Sequence, residues 1–111
     1  MRITMVKKIL ADGSPCRKCA DVEARLRDGG HLPRIHNVVI ADERDPGSEG
    51  MRLAQRHGVE LAPFFIIEQD DGSTCIYTIF LRFLREVLQA DTTAADEVRE
   101  IMERGPNLDF L

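Results

Sequence analysis

Two cysteines separated by two residues, Cys16 and Cys19 in Pro15-Cys16-Arg17-Lys18-Cys19, have the type and spacing that point most directly to chemistry. Three residues along a helix is about one turn, so both sulfurs face the same way and can close a disulfide. The pair stands where a strand gives way to a helix, and the positive end of a helix dipole favours a thiolate over a thiol. Cys16, at the helix start, is therefore expected to be the attacking sulfur. Arg17 and Lys18 leave the same turn, add positive charge, and are expected to tune Cys16 in the same direction. Cys19 falls on the apolar side of the helix and is expected to resolve a mixed disulfide formed at Cys16.

Other uses of the same residues stay open on spacing alone. A CxxC pair is also half of a zinc site, which Cys75 and one of His31, His36 or His57 would have to complete. Two buried structural cysteines are a third reading. Cys75 itself is expected to be a small packed residue on a strand, His57 a helix C-terminal residue facing the dipole, and Tyr77 a sheet-packing residue. Glu23, one turn after Cys19, is either a proton partner for that thiol or a solvated helix residue.

Residues of this kind act only if the elements around them hold them in place. Met1 to Leu10 reads as a strand with apolar side chains on both faces, and Asp12-Gly13 ends it. Ser14-Pro15 predicts a capped helix running from about Pro15 to Arg27, with Cys19, Val22 and Leu26 on its buried face and Gly29-Gly30 as its stop. Ile35 to Ala41 predicts a second strand, and Ser48 to His57 a short helix closed by Gly58. Leu61 to Ile67 predicts a third strand entered through Pro63, with Phe64 and Phe65 both in the core. Asp70-Asp71-Gly72-Ser73 predicts a hairpin, Thr74 to Thr78 a fourth strand, and Ile79 to Gln89 a helix. After this βαβαββα order, Thr93 and Asp96 predict a capped last helix, with Val98, Ile101 and Met102 lining one side of it and Gly105-Pro106 ending it.

The strand, CxxC helix, strand, helix, proline-led strand, hairpin strand and helix arrangement resembles the thioredoxin fold in its short, glutaredoxin-like form, over residues 1–89. The resemblance rests on the CxxC pair and on Ala62-Pro63, which match in type and order. It implies an α/β fold with a central four-stranded mixed sheet and flanking helices, to which residues 90–111 add an acidic helical extension. It further implies that Pro63 is cis beside the cysteines, and that Ala62 offers its backbone to a substrate. The activity implied is that of a thiol–disulfide oxidoreductase needing no dissociable cofactor and no metal, fed by an upstream reductant and acting on a protein disulfide or a small sulfur-containing substrate. The chain departs from the family at Ser14-Pro15, where thioredoxins carry tryptophan before the first cysteine, and at Arg17-Lys18, where they carry Gly-Pro. The residues with which glutaredoxins hold glutathione have no counterpart here.

A chain of 111 residues is the size of one domain. Its net charge of −4 and the lack of a Lys/Arg block speak against nucleic acid as a partner. Its longest uncharged apolar stretch, Leu61 to Ile67, is far short of the roughly 20 residues that cross a bilayer, so no membrane association and a cytoplasmic location are expected. Charge is uneven: residues 1–27 carry seven basic and three acidic residues, and residues 89–111 two basic and six acidic. A basic surround for Cys16 would steer an anionic substrate or an acidic partner. The extension, which ends Leu108-Asp109-Phe110-Leu111, is expected to pack on its own domain, dock a partner, or pair two copies as a homodimer. A binding module whose CxxC binds metal or lies idle is the alternative function.

Overall fold

The structure, a computed structural model, describes residues 1–104. β1 (Arg2–Ile9) lies inside a four-stranded mixed sheet of order β2-β1-β3-β4, with β2 spanning Asn37–Asp42, β3 Phe64–Glu68 and β4 Thr74–Tyr77. β1 pairs with β2 in parallel and with β3 antiparallel, and β3 pairs antiparallel with β4. The parallel pair requires a crossover, which α1 (Arg17–Asp28) supplies together with a 3-10 turn at Leu32–Arg34. Successive β1 side chains enter opposite faces. Ile3 and Met5 join Val22, Leu26, Phe65 and Ile67 under α1 and α3 (Phe80–Glu86), where Phe65 stacks on Phe83 at 4.0 Å between ring centroids. Val6 joins Phe64 and Ile66 on the other face, under α2 (Glu49–His57). Phe64 and Phe65 are thus both core residues, on opposite sides of β3. α2 lies against the backbone of β2 at Gly50, where a β-carbon would sit 2.3 Å from the Ala41 nitrogen. Among the described residues no helix is long and apolar enough to cross a membrane.

Several boundaries differ from those the sequence predicts. Ser14 does not cap α1, because its hydroxyl turns to the Asp12 carboxylate while Pro15 bridges back to Ile9. The helix starts two residues later, with Cys16 as its N-cap. Ser48 occupies the N-cap position of α2, but its hydroxyl accepts the Asp42 N–H and ties the helix to the end of β2. β2 begins at Asn37, since the 3-10 turn takes the residues before it and His36 Nδ1 accepts the Ile3 N–H. α3 stops at Glu86, and Arg34 donates to the Leu88 carbonyl just beyond it. Cys75 is exposed on the edge strand β4, not packed.

The sequence left open which side of α4 (Ala94–Arg104) packs on the domain. Thr93 caps it as expected, its hydroxyl accepting the Asp96 N–H. Its inner face, however, is not the apolar stripe: Val98 and Met102 are 57% and 72% exposed, whereas Glu97 and Glu100 are buried. The two Glu100 carboxylate oxygens accept the Phe80 and Leu81 N–H groups at 2.5 and 2.8 Å, satisfying the start of α3. Glu97 pairs with Arg85 at 2.6 Å and accepts the Thr92 hydroxyl. Those contacts, Arg85 first, pull its carboxyl down to about 2. The apolar and polar alternatives are of similar size. Burying one Val or Met gains about 1.5–3 kcal/mol. Leaving two helix-start N–H groups buried without an acceptor costs about 1–3 kcal/mol each. Residues 105–111, which include Gly105-Pro106, Leu108, Phe110 and Leu111, lie outside the described part. Glu100→Ala is expected to lower the unfolding free energy by about 2–3 kcal/mol in urea titrations, and an unchanged midpoint would contradict the role given to this carboxylate.

Candidate active site around Cys16

The end of β1 fixes both cysteines through one residue. The Lys8 carbonyl accepts the Cys16 N–H at 3.0 Å, and the Lys8 N–H donates to Cys19 Sγ at 3.4 Å. Between them the chain makes a tight turn in which Gly13 adopts a positive φ of 85°, a conformation glycine takes at little cost. Cys16 arrives with extended backbone and becomes the N-cap, its sulfur accepting the Cys19 N–H at 3.5 Å. Its thiol also points to the Ala62 carbonyl, 3.9 Å away. The first sulfur therefore stands half-buried at the positive end of α1.

Cys19 is different in kind. It lies on the same face as Val22 and Leu26 and is 3% exposed. Burial is the main cause that pushes its thiol up to about 12, with the neighbouring Cys16 sulfur adding to the rise and the Lys8 N–H opposing it. A protonated, buried thiol one turn below a half-exposed sulfur is the arrangement of a resolving cysteine.

Ala62-Pro63 is a cis peptide bond, both residues are buried, and the pair packs beside Cys16. Thus Cys16, Cys19, Ala62 and Pro63, expected at one site, are brought together. Arg17 is exposed and Lys18 half-exposed on the first turn of α1, and neither hydrogen-bonds a cysteine sulfur. Glu23 is half-exposed and is not paired with Cys19. Its carboxylate takes Lys7 Nζ at 3.0 and 3.2 Å across to β1. An apolar recess of about 350 Å³, lined by Met51, Ala54, Val59, Leu61, Ala62 and Phe64, opens on the α2 side of the same loop. Of the residues weighed as zinc ligands, Cys75 is on the edge strand β4 and His36 is engaged by Ile3. Among the described residues no three His, Cys, Asp or Glu are grouped to hold a metal ion.

One residue of the site escaped the sequence reading. Arg104, at the end of α4, donates from Nη1 to the Ala62 carbonyl at 2.9 Å and from Nη2 to the Pro63 carbonyl at 3.0 Å. Its Nε donates to the Thr78 carbonyl at 3.2 Å. Burial works against its positive charge, which Glu100 and the two cysteine sulfurs favour. Glu97, Glu100 and Arg104 recur at i, i+3 and i+7, so a polar stripe was present in the sequence beside the apolar one.

No family model matches the chain, and neither the curated proteins nor the solved structures include a match. Brief alkylation of the native protein near neutral pH is expected to label Cys16 and Cys75 and to spare Cys19, with all three labelled after unfolding. Peptide mass spectrometry reads this directly, and native labelling of Cys19 at the rate of Cys16 would contradict its burial and raised value.

Proposed function

We propose that this protein is a thioredoxin-like thiol–disulfide oxidoreductase of the short, glutaredoxin-like kind, working in a reducing, cytoplasmic compartment. The observation that carries the reading is the pairing of a half-exposed sulfur at a helix N-terminus with a buried thiol one turn on. Both are tied to Lys8, and they lie next to the cis Ala62-Pro63 bond. The mixed four-stranded sheet and the order of its elements support it further.

The reaction follows from these positions. The Cys16 thiolate attacks one sulfur of a substrate disulfide, forming a Cys16–substrate disulfide and expelling the other substrate sulfur as a thiolate, which takes up a proton. Cys19 gives up its proton and attacks Cys16 Sγ; the Cys16–Cys19 bond forms, and the second substrate thiolate leaves. Two electrons pass from the cysteine pair to the substrate. An external dithiol, or two equivalents of a monothiol, then returns the pair to its reduced form. The high proton affinity of that buried thiol holds the resolving sulfur back until Cys16 has reacted, and the Lys8 N–H, which opposes that affinity, eases its later loss of the proton. Arg17 and Lys18 supply positive charge at the rim of the site, where it raises the encounter rate with anionic substrates at low salt.

Turnover of a small disulfide such as 2-hydroxyethyl disulfide, with dithiothreitol as reductant, tests the proposal. Cys16→Ser is expected to abolish turnover above the uncatalysed rate. With dithiothreitol left out, Cys19→Ser is expected to retain one round of attack and to accumulate a mixed disulfide at Cys16, visible as a mass increase. Equal turnover by the parent protein and Cys16→Ser would refute it.

A further inference from the structure

The Ala62 carbonyl is the acceptor nearest the Cys16 sulfur, at 3.9 Å, and it lies just before the strand β3. A cysteine sulfur is joined to its own main chain through a single methylene. A polypeptide disulfide that meets Cys16 must therefore bring an extended backbone alongside Ala62, where hydrogen bonds to that backbone would ordinarily secure it. Arg104 already fills this acceptor, together with the carbonyls of Pro63 and Thr78. The guanidinium is held in place by its own helix, since Glu97 and Glu100 anchor α4 on Arg85 and on the start of α3. The exposure of Val98 and Met102 shows that this polar face sets how α4 lies. An incoming peptide N–H would have to share this oxygen with a charged donor of fixed fork geometry and to compete with the Cys16 thiol for its second lone pair.

We propose that Arg104 is the specificity-determining residue of this site: by occupying the Ala62 carbonyl it closes the edge beside Cys16 to extended polypeptides and restricts the cysteine pair to small disulfides. The proposal rests on the reading of Cys16 as the attacking sulfur, and it narrows the substrate to a class that needs no main-chain pairing. A small disulfide reaches the half-exposed Cys16 sulfur without using the Ala62 carbonyl.

The test uses Cys19→Ser with Cys75→Ser, so that Cys16 is the one reactive thiol and reaction stops after attack. Two probes carry the same 5-thio-2-nitrobenzoate leaving group, one on 2-mercaptoethanol and one on the cysteine of an extended, uncharged peptide. Cys16 attacks the non-aromatic sulfur in each, the disulfide bond to Cys16 forms, and the coloured thiolate released gives the rate. Arg104→Met, which keeps the Glu97 and Glu100 anchors, is expected to raise the peptide-to-small rate ratio about tenfold, the scale of one recovered main-chain hydrogen bond. Any change in Cys16 reactivity from the lost positive charge acts on both probes and cancels in the ratio. Should Arg104→Met fail to fold by circular dichroism, Arg104→Lys serves in its place, because one ammonium cannot reproduce the three-carbonyl fork; a smaller rise in the ratio is expected. An unchanged or lower ratio overturns the proposal while leaving the oxidoreductase reading intact. Failure of Cys16 to react with either probe in the parent background overturns that reading, and the selectivity with it.

Discussion

The backbone of Lys8 holds two sulfurs at different depths, its carbonyl on the Cys16 N–H and its own N–H on Cys19 Sγ. β1 lies between β2 and β3, is buried at Ile3, Met5 and Val6, and is paired to β2 through Lys8 itself. The clamp places Cys16 where the first turn of α1 has N–H groups without carbonyl partners, and one of these reaches its sulfur. It also places Cys19 below the surface, where the loss of hydration favours the neutral thiol. The asymmetry between a half-exposed and a buried sulfur thus follows from backbone geometry at the end of a core strand.

A second need of the same kind organises the rest of the site. α3, like α1, begins with N–H groups that require acceptors, and Glu100 meets two of them from another helix. That requirement turns α4 so that Glu97, Glu100 and Arg104 face inward, and it carries Arg104 onto the carbonyls of Ala62, Pro63 and Thr78. The two helix starts are linked in this way. One is capped by the sulfur, the other by a carboxylate, and the helix bearing the carboxylate delivers a cation to the loop beside the sulfur.

Much of this was legible in the residues. The alternation of strands and helices, the hairpin at Asp70 to Ser73 and the burial of Phe64 and Phe65 follow from periodicity and turn chemistry, which act locally. The site pair Cys16 and Cys19 was marked by spacing, and Ala62-Pro63 by the few places a sheet allows proline together with the family resemblance. What was not legible depends on competition between partners. Ser14 has a capping hydroxyl, but Asp12 claims it and Cys16 becomes the cap. α4 carries two overlapping stripes, and hydrophobic periodicity selects Val98, Ile101 and Met102. The deciding groups are main-chain N–H donors on α3, which no local pattern in α4 reveals. Arg104 was missed for that reason. Cys75 was misplaced because a strand's own sequence does not say which of its faces a helix will cover.

The central claim is that Cys16 and Cys19 form a two-electron redox couple. Equilibration in dithiol/disulfide buffers of graded potential, followed by acid quenching, alkylation and peptide mass spectrometry, tests it most directly. The account predicts a Cys16–Cys19 disulfide whose occupancy shifts tenfold in reduced-to-oxidised ratio per about 30 mV. A pair that stays unlinked across the whole series, or that links to Cys75 in preference to each other, would contradict it.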